Sequence, residues 1–94
     1  MGDSGQIISK LREIVDCLRA NGSADWADGF ERMADEFPSD PDETKRQIRG
    51  CYGGMGSFND LVLHKQGVPL RKENDELDRM RHELWELCQL YASK

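Results

Sequence analysis

The sequence predicts an all-α or nearly all-α fold, a compact arrangement of four helices with an irregular crossover before the last helix. Three observations predict this class. Apolar residues recur at helical spacing in four stretches, capping and breaking residues separate those stretches, and 94 residues suffice for one modest core. A single helical domain over residues 1–94 is expected, since no linker or internal repeat divides the chain.

The first two helices are predicted over residues 6–20 and 23–37. The first ends at Asn21-Gly22, because glycine adopts the left-handed C-terminal conformation at little cost. Ser23 is positioned to cap the second helix, and Gly29 inside it indicates a close approach of another helix. The apolar stripe of the first helix is Ile7, Leu11, Ile14, Val15 and Leu18, and that of the second is Trp26, Phe30, Met33, Ala34 and Phe37.

The third helix has the strongest start signal in the chain. Asp40 is a good N-cap, Pro41 suits the first helical position, and Glu43 is placed to reach back as in a capping box. A fourth helix is predicted from Asn74, with Trp85 on the flank of its apolar seam and only partly buried. The inward-facing residues are expected to be Thr44, Ile48, Cys51 and Tyr52 in the third helix, and Leu77, Met80, Leu84, Leu87, Cys88 and Tyr91 in the fourth.

The crossover between these helices has an unusual composition. Residues 53–57 (GGMGS) predict a tight turn, after which Ser57 caps a short helical turn through Asp60. Two apolar triplets, residues 61–63 and 68–70, flank Lys65-Gln66-Gly67. This pattern predicts either an extended excursion or a short hairpin.

Charge and cysteine usage restrict the function classes. Eighteen acidic and thirteen basic residues give a net charge of −5, which disfavours binding to nucleic acid or anionic membrane and permits a basic protein partner. The three cysteines are odd in number and widely spaced, which indicates buried free thiols. With no membrane-length apolar run and no signal peptide at the first residues, a cytoplasmic location is expected.

The Gly-rich segment is the first candidate binding site. Backbone N–H groups just before a helical turn can contact an anion or a peptide carbonyl, although the lysine and spacing of a P-loop are missing. The alternative is structural, with glycines for a sharp turn, a serine cap, and Met55 and Phe58 as a plug at the end of the bundle. The candidate residues are Gly53, Gly54, Met55, Gly56, Ser57, Phe58, Asn59 and Asp60.

The second candidate is a recognition surface. Asp28, Glu31 and Asp35 belong to a strongly acidic face of the second helix, which suits a basic partner. Trp85 is a candidate aromatic anchor, if it is exposed. The alternatives are an ordinary solvated face for the carboxylates and a rim of the core for the tryptophan.

Residues for catalysis, metal ligation or cofactor binding are not recognisable in the sequence. Ser57 lies outside a G-x-S-x-G context, and neither histidine stands beside a candidate nucleophile. His64 lies four residues after Asp60, and His82 four residues before Glu86. Since two ligands do not make a metal site, solvated surface residues are the better interpretation. A non-enzymatic protein without a cofactor is expected.

Residues 52–63 (YGGMGSFNDLVL) resemble the signature of a family of small uncharacterised bacterial proteins. The resemblance extends upstream to Trp26-Ala27 and downstream to the Asn-led helix from Asn74. It implies a bacterial source and one compact helical domain, and it implies no activity. Small acidic bacterial proteins include immunity partners of toxins, which is an analogy of size and charge.

Three function hypotheses follow from the sequence. The first is a binding protein that neutralises or regulates a protein partner, such as a basic toxin, through residues 53–60 or the acidic face. The second is an anion-binding or small-ligand-binding regulatory domain that uses the backbone amides of Gly54, Gly56 and Ser57. The third is a structural homodimer that pairs through the fourth helix.

Overall fold

The computed structural model describes residues 2–53 and 57–90, with side chains from residue 5 to residue 89 outside that gap. Within these ranges the chain forms four helices, α1 (Gly2–Ala20), α2 (Ala24–Glu36), α3 (Pro41–Gly50) and α4 (Arg71–Leu90), together with a 3-10 turn (Phe58–Asp60) and two short strands, β1 (His64–Lys65) and β2 (Val68–Pro69). The predicted fold class is confirmed.

Helix α1 begins four residues earlier than predicted and ends at the predicted residue. Gly22 has φ +82°, and the Ser23 N–H donates to the carbonyl of Leu18 over 2.9 Å. With the weaker bond from Gly22 N–H to the Arg19 carbonyl, this is the Schellman pattern that closes a helix. The predicted apolar stripe of α1 is buried along its whole length.

Helix α2 follows after three residues, Asn21 to Ser23. Ser23 occupies the N-cap position, but its side chain makes no capping hydrogen bond, so the predicted cap is wrong in that respect. The proposed close approach at Gly29 is also wrong, because a Cβ atom built there meets nothing within 4 Å. The buried face is formed by Ala27, Phe30, Ala34 and Phe37, with Trp26 and Met33 half-buried beside it.

Helix α3 starts as the sequence predicts, with one exception. The Asp40 side chain accepts the Glu43 N–H over 3.3 Å, and Pro41 occupies the first turn. The Glu43 carboxylate does not close the capping box. It accepts hydrogen bonds from Arg46 and Gln47 instead, because those side chains lie one turn further along the same face.

The crossover contains a hairpin, one of the two predicted alternatives. Strands β1 and β2 pair antiparallel, with His64 opposite Pro69 and Lys65 opposite Val68. The two turn residues, Gln66 (φ 54°) and Gly67 (φ 79°), both have positive φ. This is the combination that a two-residue turn needs to match the twist of the strands.

Helix α4 begins at Arg71, not at Asn74 as predicted. The Leu70 carbonyl accepts the Asn74 N–H over 2.8 Å, so the first turn starts three residues earlier. The Asn74 side chain, read in the sequence as a helix start, bonds the hairpin instead. Its Oδ1 accepts the Leu63 N–H (2.7 Å) and its Nδ2 donates to the Leu63 carbonyl (3.0 Å).

Helices α1 and α4 run antiparallel. Lys10 pairs with Glu83 over 2.7 Å, and Cys17, two turns along α1, lies in the electrostatic field of Glu76, two turns back along α4. The buried seam of α4 is Leu77, Met80, Leu84 and Cys88, with Leu87 half-buried, while Tyr91 falls outside the described residues. Among the described helices, none is both long enough and apolar enough to traverse a bilayer.

Two glycines provide a matched test of this backbone. Gly22→Ala should lower the free energy of unfolding by about 1–2 kcal/mol, because a Cβ atom resists the left-handed conformation. Gly29→Ala should raise it by about 0.5–1 kcal/mol, because Gly29 lies in a helix with open space around it. Urea unfolding followed by circular dichroism measures both, and equal effects of the two changes would contradict the assignment.

Candidate binding site

The acidic face of α2 is paired within the chain. Arg19 of α1 contacts both Asp28 (3.0 Å) and Glu31, and Arg12 contacts Asp35 (3.0 Å). All of these side chains are largely solvent-exposed, so each pair contributes little to stability. The pairing nevertheless offsets much of the negative charge that the sequence assigns to this face.

The Gly-rich segment closes a short loop beside α4. Phe58 N–H donates to the Cys51 carbonyl (2.8 Å), and the Asn59 side chain donates to the Tyr52 carbonyl (3.0 Å), so the two ends of the segment are held together. Gly53 is exposed, and residues 54–56 lie outside the described part of the chain. The predicted helical turn is present, as the 3-10 turn, although Ser57 makes no side-chain capping bond and its buried hydroxyl has no partner among the described residues.

Phe58 is a core residue. It is fully buried, and its ring centroid lies 4.5 Å from that of Phe30, 5.5 Å from that of Trp26 and 5.7 Å from that of Tyr52. Aromatic rings at these separations and tilts stabilise each other beyond the area that they bury. Of the two interpretations of this residue, its geometry favours the plug at the end of the bundle over direct contact with a partner.

Arg81 is a residue of the candidate site that the sequence did not single out. Its guanidinium lies 5.4 Å from the Phe58 ring centroid, donates to the carbonyls of Phe58 and Leu61, and pairs with Asp78. The hydroxyl of Tyr52 donates in turn to the Arg81 carbonyl over 2.6 Å. Its position in the sequence could have identified it. Arg81 lies four residues after Leu77, on the same face of α4 as the apolar seam, and it is itself buried.

These contacts shape a cleft of 500 Å³ between the 3-10 turn and α4. Its lining residues are Tyr52, Asn59, Asp78, Arg81, His82 and Trp85. The half-buried Trp85 packs against Tyr52 in a tilted arrangement, with ring centroids 5.0 Å apart and an interplanar angle of 53°. Two of the residues singled out in the sequence, Asn59 and Trp85, therefore meet in one cleft, whereas Asp28, Glu31 and Asp35 lie elsewhere on α2.

A larger groove of 1320 Å³ lies on the other side of Trp85, between α1 and α4. His82 and Trp85 line both cavities and so form a ridge between them. Trp85, the candidate anchor, therefore has a cavity on each side. Tryptophan is among the residues enriched at protein interfaces and in their energetic hot spots.

Burial favours the protonated forms of the Tyr52 hydroxyl and of the three cysteine thiols. Burial raises the pKa of the Tyr52 hydroxyl well above its usual value, and it raises the pKa of the Cys88 thiol to about 11. Burial also raises the pKa of the Cys17 and Cys51 thiols. Since the thiolate is the reactive form, these cysteines lack the lowered pKa of an activated nucleophile.

The two histidines, His64 and His82, lie on exposed parts of the structure. His82 Nε2 lies 3.2 Å from a Glu86 carboxylate oxygen, one turn along the exposed side of α4, and His64 is exposed in β1. Among residues 2–53 and 57–90, no group of three or more His, Cys, Asp or Glu side chains is arranged to hold a metal ion.

Residues 19–71 match a protein family described as Domain of unknown function (DUF6966). The match covers more than half of the chain. The chain belongs to this family. The DUF6966 segment includes α2, α3, the Gly-rich segment and the hairpin, and hence Tyr52 and Asn59 of the cleft, while Trp85 lies in the part of α4 beyond it. No curated protein and no solved structure matches the chain.

The role of Arg81 can be tested by removing its charge. Arg81→Met should lower the free energy of unfolding by about 3 kcal/mol, because the buried carbonyls of Phe58 and Leu61 lose a charged donor. Arg79→Met is the control on the same helix, and it should change stability by less than about 0.5 kcal/mol because Arg79 makes only an exposed pair. If urea unfolding shows comparable losses in the free energy of unfolding for both variants, the bonds of Arg81 to the crossover do not stabilise the fold.

The buried Tyr52 hydroxyl predicts a loss of stability at high pH. Its pKa is raised in the folded state, so the neutral form is favoured there and its contribution is intact below the usual tyrosine pKa of about 10. Above that pH the unfolded chain releases the proton first, and the free energy of unfolding should fall by up to about 1.4 kcal/mol per pH unit.

Tyr52→Phe is the matched variant for that measurement. It should lose the hydrogen bond to the Arg81 carbonyl, at a cost of about 1 kcal/mol at neutral pH, and should show a shallower decline above pH of about 10. Urea unfolding from pH 8 to 11 compares the two proteins. Parallel curves would mean that Tyr52 titrates normally in the folded protein.

Proposed function

We propose that this protein is a non-enzymatic binding protein that recognises a protein partner through the surface around Trp85. The observation that carries the proposal is the position of Trp85, a half-buried aromatic residue flanked by two cavities and braced by Tyr52. Tryptophan held in this way loses little side-chain entropy on binding and buries a large apolar area.

The charge of the chain supports a basic partner. The net charge of −5 attracts a cationic protein over distances of about one Debye length. A basic toxin that the protein neutralises or regulates is one such partner. The carboxylates of α2 that contact Arg12 and Arg19 contribute less to this attraction, so we propose contact along α4 and at Asn59 in preference to the α2 face.

The three free cysteines support a cytoplasmic location. Cys17, Cys51 and Cys88 are unpaired, which suits a compartment that keeps thiols reduced.

The proposal predicts that partner capture depends on Trp85. Tagged wild-type protein and its Trp85→Ala variant are compared by affinity capture and quantitative mass spectrometry from lysate of the source organism. Loss of a central aromatic anchor typically costs at least 2 kcal/mol, so recovery of the partner should fall by at least about tenfold.

Val68→Ala is the control for that experiment. Val68 is the most exposed large apolar residue among those described, at 62% exposure, and it lies in the hairpin away from both cavities. Capture should be unchanged in this variant, and circular dichroism checks that each variant is folded. The proposal would be contradicted if the Trp85→Ala variant captured the partner as well as the wild type does, or if the wild type captured no specific partner.

A further inference from the structure

The α1–α4 groove has a mostly apolar lining that lies between two antiparallel helices. Its sides come from residues 5–13 of α1 and residues 82–89 of α4. At 1.5 Å per residue each side is about 10–12 Å long, which equals roughly two turns of a third helix. Trp85 and Leu87, both half-buried, provide the apolar part on the α4 side, and the small residues Gly5 and Ser9 leave space on the α1 side.

A helix suits this groove better than an extended peptide. The backbone groups of α1 and α4 are paired within each helix, so these walls offer no free edge to which a strand could add. A helical segment satisfies its own backbone and can place an apolar ridge between the two walls.

The exposed charge along the groove is negative. Glu13, Glu83 and Glu86 have side chains that are 52%, 38% and 65% exposed. Lys10 carries the one ammonium group among the described lining residues. It is only 17% exposed and lies between Glu83 (2.7 Å) and Glu13 (3.2 Å). Glu83 also pairs with Arg79, and Glu86 lies beside His82, so all three carboxylates have partners within the chain. The described lining nevertheless carries three carboxylates against one ammonium group. Lys10 also lowers the pKa of Glu83, so this carboxylate is ionised at neutral pH.

We infer that the α1–α4 groove binds a basic amphipathic helix of the protein partner. The apolar face of that helix packs against Trp85 and Leu87, and its Lys or Arg side chains reach Glu13 and Glu86 at the two sides. This inference rests on the proposed function, since it assigns the chemistry of the partner segment that meets the Trp85 surface.

Synthetic peptides test the occupant directly. The probe is an 18-residue Leu/Lys peptide with helical spacing, compared with a Leu/Glu peptide of the same pattern and a Leu/Lys peptide of alternating, strand-like pattern. The full-length Trp26→Phe protein is used, because Trp85 is then its only tryptophan and reports binding by fluorescence. The basic helical peptide should bind at least about tenfold more tightly than either of the others.

Two pairs of variants locate the binding. Ser9→Phe should fill the groove and weaken binding at least about tenfold, while Ser9→Ala leaves it unchanged. Glu86→Lys should weaken binding severalfold more than Glu36→Lys, which alters net charge equally but lies on α2, outside the groove.

Several outcomes would overturn the inference. They are equal binding of the basic and acidic helices, preference for the strand-like peptide, no binding up to about 100 μM, or no effect of Ser9→Phe. Dimerisation in sedimentation experiments that Ser9→Phe abolishes would assign the groove to a second copy of the chain instead. If the cellular partner needs Trp85 but tolerates Ser9→Phe, the proposed function survives and this inference fails.

Discussion

The guanidinium of Arg81 anchors the irregular crossover between α3 and α4. The crossover between α3 and α4 has few backbone bonds of its own, since it contains one 3-10 turn and two strands of two residues each. Arg81 supplies the missing donors to the carbonyls of Phe58 and Leu61 and covers the Phe58 ring, while Tyr52 is bonded to the backbone of the same residue. An apolar side chain at this position would remove the charged donor from both carbonyls, and the Phe58 carbonyl would keep only the Leu61 N–H (3.2 Å). The burial of Phe58 and the shape of the neighbouring cleft both depend on this one side chain.

The side chain of Asn74 anchors the hairpin to α4 in the same way. A strand pair of two residues is not stable alone, so the hairpin needs an anchor. The Asn74 side-chain amide forms hydrogen bonds with both the N–H and the carbonyl of Leu63, next to the first strand residue, as a neighbouring strand would. Together, Arg81 and Asn74 make α4 the element to which the whole crossover is attached, and Trp85 lies on the same helix. Four of the six residues that line the cleft lie on α4, and only Tyr52 and Asn59 come from the crossover.

The helices could be predicted because their information is local. The stripe of α1, the Asp40-Pro41 start of α3 and the Gly22 ending each depend on residues within one or two turns. Two features were missed because a side chain of α4 bonds a segment distant in the chain. Asn74 looked like a helix start because asparagine often caps helices, but its amide is used by the hairpin. Arg81 was not singled out in the sequence, because only the fold brings the carbonyls 20 and 23 residues away to it. The meeting of Asn59 with Trp85 is likewise a tertiary fact that no local pattern contains.

The antiparallel contact between α1 and α4 has a consequence for biosynthesis. Lys10 and Glu83 are 73 residues apart in the chain. At translation rates of about 5–20 residues per second, α1 must wait about 4–15 s for α4 to be made, and during that time its stripe can pack only against α2. The groove between α1 and α4 does not exist in the nascent chain until its last wall has been synthesised. Occupation of the groove by a partner would therefore be restricted to chains in which α4 has been synthesised and has packed against α1.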